Sequence, residues 1–179
     1  MSKKTHYELF PTQYKFMFDI DNEAREACDK ENGRGSYMDF SLYQGGFGGG
    51  KTFCGSLRGL LFAFQWAGST GLVGAASQDL LDNTTKAKYE WHLENMGMKE
   101  GQHYWWSDRK TKLTLANGST IRFKTVSNWE NFRSTEFTWI ELEEASLIDE
   151  KTFKELSARL REATKNEWVN MITDRKSVV

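Results

Sequence analysis

An α/β fold, with a mostly parallel central sheet flanked by helices and one added β-hairpin, is what the 179 residues of this chain predict. Three observations carry that expectation. Short apolar runs alternate with longer stretches of helical period, the pattern of parallel strands joined by helical crossovers. Residues 45–52, GGFGGGKT, place a glycine-rich turn between one such strand and one such helix. Asn117-Gly118 separates two alternating runs, a strong short-range hairpin signal.

The elements follow in order. Residues 13–30 space Tyr14, Phe16, Met17, Ile20, Ala24 and Ala27 at helical intervals and predict a helix, with a turn at 33–37. MDFSLYQ at 38–44 reads as a short strand, and 51–67 as an apolar helix. GLVGAA at 71–76 is a second, buried strand. Ser77 is placed to cap a helix over 78–96 that carries Leu80, Leu81, Tyr89, Trp91, Leu93 and Met96, with Gly97 and Gly101 marking its end. Residues 111–126 predict the hairpin, FTWIEL at 137–142 a strand, and 149–163 a helix with Phe153, Leu156, Leu160 and Ala163 on one face. WVNMIT at 168–173 begins a last strand. Ligands in such sheets sit at the strand C-terminal ends.

Composition narrows the function. A net charge of −1 creates no overall field for nucleic acid, so any DNA contact must come from a local patch. Cys28 and Cys54 are far apart, which fits a reducing compartment without a disulfide framework. No apolar run reaches the length of a membrane span, and MSKKTHYELF is no secretion signal.

Residues 45–52 satisfy G-x-x-x-x-G-K-[ST], the phosphate-binding loop of nucleoside triphosphatases. Gly45, Gly46, Gly48, Gly49 and Gly50 let backbone N–H groups turn inward around phosphate oxygens, with Phe47 among them. Lys51 is expected to reach the β- and γ-phosphates of ATP, and the Thr52 hydroxyl to ligate Mg2+. The following helix points its positive end at the phosphates. A dinucleotide fingerprint fits less well, because Phe47 stands where its second glycine belongs.

Such a loop needs an acidic partner at the end of a nearby strand. Glu143-Glu144 directly follows FTWIEL. Glu143 is assigned to the magnesium shell and Glu144 to the general base that activates water for attack on the γ-phosphate. Glu141 replaces one of them if the register slips by two. Other candidates are set aside. Trp105-Trp106 with Arg109, Lys110 and Lys112 reads as a packed hairpin entrance rather than a stacking platform for single strands. His6, His92 and His103 show no metal spacing with the cysteines, Cys54 reads as buried packing, and Lys86 and Lys88 as a solvated helix face.

In this order the motifs resemble the ATPase domain of tailed-phage terminase large subunits, a phosphate-loop NTPase of the ASCE type. The likeness runs from Pro11-Thr12-Gln13 through the phosphate loop, the NGSTIRF hairpin and NWENFRSTEF to WIELEEAS and the helix bearing Phe153, Leu156, Arg159, Leu160 and Arg161. The resemblance implies that Gln13 contacts adenine. It also implies that Arg133 acts in trans on a neighbouring subunit's ATP, with a structural pairing to Glu130 or Glu136 as the equal alternative. Many members carry an arginine in the loop zone that Phe47 occupies here. Implied partners are double-stranded viral DNA, a portal protein, a small terminase subunit and copies of the chain in a packaging ring, all in the host cell cytoplasm and away from membranes. A helicase of related fold and a non-catalytic ATP-binding module are the rival readings.

The strand at 168–173 resembles the one that runs into the family's coupling motif. Here DRKSVV follows at 174–179, which reads as a non-native tail whose codons would match a sequencing adapter. Residues 1–173 are then an incomplete ATPase domain, and the family's nuclease domain, with its endonuclease activity, is expected only in a full-length protein.

Overall fold

The computed structural model describes residues 7–19, 37–127, 129–132, 134–160 and 168–176. Its centre is a seven-stranded sheet of order β1-β7-β6-β2-β5-β4-β3. The strands are β1 (Tyr37–Gly45), β2 (Thr70–Ala75), β3 (Tyr104–Trp106), β4 (Lys112–Leu115), β5 (Thr120–Thr125), β6 (Trp139–Glu143) and β7 (Trp168–Lys176). From β1 through β7, β6 and β2 to β5 every pairing is parallel, while β5-β4 and β4-β3 are antiparallel. The Asn117-Gly118 hairpin is therefore present, joining β4 to β5 beside the edge strand β3, with Gly118 at φ 87°. Asn117 anchors it to the rest of the fold by donating to Ala63 O at 2.8 Å.

The helices are α1 (Pro11–Tyr14), α2 (Lys51–Gln65), α3 (Gln78–Leu80), α4 (Ala87–Asn95) and α5 (Glu150–Ser157). A π-turn at Lys15–Asp19 continues α1, and another at Leu81–Lys86 joins α3 to α4. Ser77 caps α3 by accepting from Leu80 N, and Asp149 caps α5 by accepting from Thr152 N at 2.9 Å. That bond to the Thr152 amide also holds the Asp149 carboxyl below its ordinary range.

Strands β2 and β6 divide their side chains between two cores. Val73, Ala75, Ile121, Phe123, Leu113 and Trp139 pack beneath α2 and α4. Leu72, Ile140 and Leu142 face the other way, against α5 and the 3-10 turn Trp129–Phe132. No helix among the described residues is long and apolar enough to cross a membrane.

Several expectations change. Helix α5 ends at Ser157, where turns and a bridge from Leu160 to Phe137 replace it, and residues 161–167 lie outside the described residues. The expected helix over 13–30 is described only to Asp19. Trp105 and Trp106 belong to an edge strand. β7 extends to Lys176, paired with β1 from Tyr37↔Trp168 to Gly45↔Lys176. Lys86 is not solvated: it is 5% exposed and bonds Asp82 at 2.5 Å one turn back. That bond holds the Asp82 carboxyl low.

Candidate functional site

The phosphate loop spans the step from β1 to α2. Gly48 and Gly50 take φ of 77° and 72°, left-handed values that cost an ordinary residue about 1 kcal/mol or more. Gly50 is the N-cap of α2 and has no side chain to satisfy the helix's first N–H groups, so these stay open to an anion. Loop bonds hold the shape. Gly49 N donates to Gly46 O at 3.2 Å, and Tyr43 donates its hydroxyl to Gly49 O at 3.1 Å. Lys51 folds back on the loop, donating Nζ to Gly46 O at 3.0 Å. Phe47 stands at the tip, 95% exposed.

Gln13 reaches this loop from the N-terminal segment. It is buried, its Oε1 accepts from Phe10 N at 2.9 Å, and its Nε2 lies where a side chain on Gly50 would be. Gly50 thus answers two demands, backbone handedness and close approach.

The acidic strand lies under α2, two strands from β1 with β7 between them. β6 is buried at every position. Its alternation sends Trp139, Glu141 and Glu143 toward α2 and Ile140 and Leu142 to the far core. Thr52 donates its hydroxyl to Glu143 Oε1. Glu144 leaves the sheet: at φ 48° it ends the strand in a left-handed turn, partly exposed, and starts the 3-10 turn Ala145–Leu147. A non-glycine residue in this region stores strain and is enriched at functional sites.

Glu141, the alternative carboxylate, shares the α2 face of the strand with Glu143 but has different neighbours. Its Oε2 accepts from Tyr89 of α4 at 2.5 Å, and Gly55 of α2 sits directly over it. Helix and strand form a ladder: Thr52 on Glu143, Gly55 on Glu141, Gly59 on Trp139 and Tyr89. Gly-x-x-x-Gly at 55 and 59, on one helix face, was the legible signal for this close approach, and Tyr89 read only as core. Arg58, absent from the sequence candidates, is buried on α2, donating to Phe16 O at 2.5 Å and lying over the Phe16 ring.

His92 fills the other side of α2. It is wholly buried, bonding Phe53 O at 3.0 Å and the Tyr7 hydroxyl at 3.3 Å. Burial pulls its pKa down to about 4, so the ring is neutral. Cys54 is also buried, which pushes its thiol up to about 12 and leaves it inert as a nucleophile. Lys88 is 5.1 Å from the Trp91 ring centre. Among the described residues no group of three or more His, Cys, Asp or Glu gathers in metal-binding geometry. The hard-oxygen pair Thr52 and Glu143, beside open helix N–H groups, fits a magnesium ion that keeps most of its ligands as water and phosphate. Arg133 and Arg161 lie outside the described residues.

A family profile described as phage terminase large subunit matches residues 38–174. No curated protein matches the chain. The large terminase of a thermophilic bacteriophage has a similar fold: TM-score 0.70 at 11% identity, over 94% of this chain and 39% of that one. The same terminase in complex with ATP-γ-S gives TM-score 0.64 at 10% identity, over 93% and 38%. The large terminase ATPase domain of a Thermus phage gives 0.52 at 16% identity, over 97% and 72%. The chain thus spans well under half the length of the first of these terminases.

Proposed function

The chain belongs to the phage terminase large subunit family, and from that premise we propose that it binds ATP with Mg2+ at residues 45–52 and hydrolyses it to drive viral DNA into a procapsid. The observation that carries this reading is the bond from Thr52, at the head of α2, to Glu143, at the end of the acidic strand. It joins a phosphate-binding element to a carboxylate across the sheet. That a protein of similar fold has been solved with ATP-γ-S supports the choice of nucleotide.

In this mechanism the N–H groups of Gly48 and Gly50 and the α2 terminus receive the phosphates, while the Gly49 N–H stays on Gly46 O and holds the loop's shape. Lys51 leaves Gly46 O for the γ-phosphate, exchanging a neutral acceptor for a charged one. Thr52 and Glu143 would hold the magnesium ion, which would supply neutralisation of the charge on the phosphate oxygens. Gln13, already against Gly50, contacts adenine. Glu144 takes the proton of a water as its oxygen bonds the γ-phosphorus and ADP leaves. Arg133 comes from a neighbouring subunit in a packaging ring, with the portal and small subunit as partners and the host cytoplasm as the setting.

An ATP titration on the full chain tests the reading. Lys51→Ala is expected to lose saturable Mg2+-dependent binding, with a loss of at least about tenfold for a charged hydrogen bond of this kind. Glu144→Ala is expected to bind ATP yet hydrolyse it about 10²–10⁴ times more slowly. Equal hydrolysis by wild type and Glu144→Ala would favour the non-catalytic module.

A further inference from the structure

Glu141 is an expensive residue for its position. It is 2% exposed, between Ile140 and Leu142 in a wholly buried strand, where a valine would cost nothing to desolvate. The structure surrounds it with specific partners. The Tyr89 hydroxyl, itself fully buried, donates to Oε2 at 2.5 Å, a length typical of a charge-assisted O–H···O bond. Burial and the adjoining Glu141 carboxylate push the Tyr89 hydroxyl well above its ordinary pKa, so it remains a donor. Gly55 leaves α2 without a side chain over Oε1: a Cβ added there would stand only 2.5 Å from it. Glu143 follows on the same face of the strand, one dipeptide or about 7 Å further on.

We propose that Glu141 is a positioning residue for the magnesium–nucleotide site. Its carboxylate ties β6 to α4 through Tyr89 and bears on α2 at Gly55. It thereby sets the depth at which α2 seats on the strand, and so where the Thr52 hydroxyl meets Glu143. The inference rests on the reading that Thr52 and Glu143 hold the metal. It adds a route from α4 to the site that the phosphate-loop motif does not contain. A valine here would leave the strand packed but the helix free to shift along it, since two glycines offer no side chain to lock the register.

The test is the Mg2+ concentration that half-saturates ATP binding, measured by calorimetry on the full chain. Amide exchange at residues 52–56 in the ligand-free protein is followed in parallel. Tyr89→Phe and Glu141→Leu are expected to raise the Mg2+ midpoint about threefold, less than the roughly tenfold or more that follows loss of a group bonded directly to a metal ligand, and to speed exchange at 52–56. The number of ATP sites per folded molecule stays the same. Glu141→Gln keeps an acceptor for Tyr89 and is expected to restore most of both losses. It also keeps the test open if Glu141→Leu fails to fold. Midpoints equal to wild type in Tyr89→Phe, or a Glu141→Gln as weak as Glu141→Leu, would overturn the inference alone. Wild type with no Lys51-dependent ATP binding would overturn the nucleotide reading and the inference with it.

Discussion

The two halves of the candidate site are built on opposite terms. The phosphate loop is exposed and nearly without side chains: Phe47 projects into solvent, and a Cβ added to Gly46 or Gly48 meets nothing within 4 Å. The acidic strand is the reverse, buried at all five positions and packed so closely that Gly55 and Gly59 of α2 and Gly71 of β2 each leave room for one of its side chains. Glycine serves backbone handedness and N–H access in the first region, and steric vacancy in the second. Loss of a loop glycine should therefore act on ligand binding, and loss of a strand or helix glycine on the fold.

Gly71→Ala should break the strand half most severely. A Cβ there would overlap the Trp139 indole, its register partner in the parallel ladder. Overpacking of this kind costs about 1–3 kcal/mol, and the upper end is expected because the ring is itself fully buried. The check is a urea melt.

A pH-dependent loss of comparable size is expected from His92. Its folded pKa, about 4, lies below the ordinary 6.5, so the neutral ring contributes stability that is fully present above pH 6.5. That contribution is lost as pH falls toward 4, with about one proton taken up on unfolding. Urea midpoints across this range should fall more steeply for wild type than for His92→Gln. Parallel slopes would mean that the ring is not held neutral by burial.

The smallest effect sharpens the contrast. Gly46→Ala adds a methyl group to open space, so folding stability should stay within about 0.5 kcal/mol of wild type. A large drop in the melt would show that the loop is packed after all, and would remove the distinction between the two halves.

Legibility follows the same division. The loop, the hairpin at Asn117-Gly118 and the Ser77 cap are readable because each is a local backbone requirement met by consecutive residues. Glu143 is readable as an acidic candidate. Its separation from Glu141 is not, because strand alternation sends both carboxylates to the same face. Lys86 misleads for a related reason: helical spacing on a charged stretch suggests solvent, whereas the π-turn rotates it inward onto Asp82. Helix α5 ends early because the chain turns to bridge Phe137 at Leu160, a long-range contact that periodicity cannot register.

By itself, then, the sequence determined an α/β sheet with a glycine-rich loop between strand and helix, an acidic strand and the order that joins them, because those features rest on dihedral freedom, period and neighbouring residue types. Only the tertiary structure decided that β7 lies between β1 and β6, that Thr52 meets Glu143, and that Glu141 is tied to Tyr89 beneath Gly55. These are choices among chemically equivalent partners. They are settled by which surfaces exclude water together, and that depends on segments brought close by the whole fold.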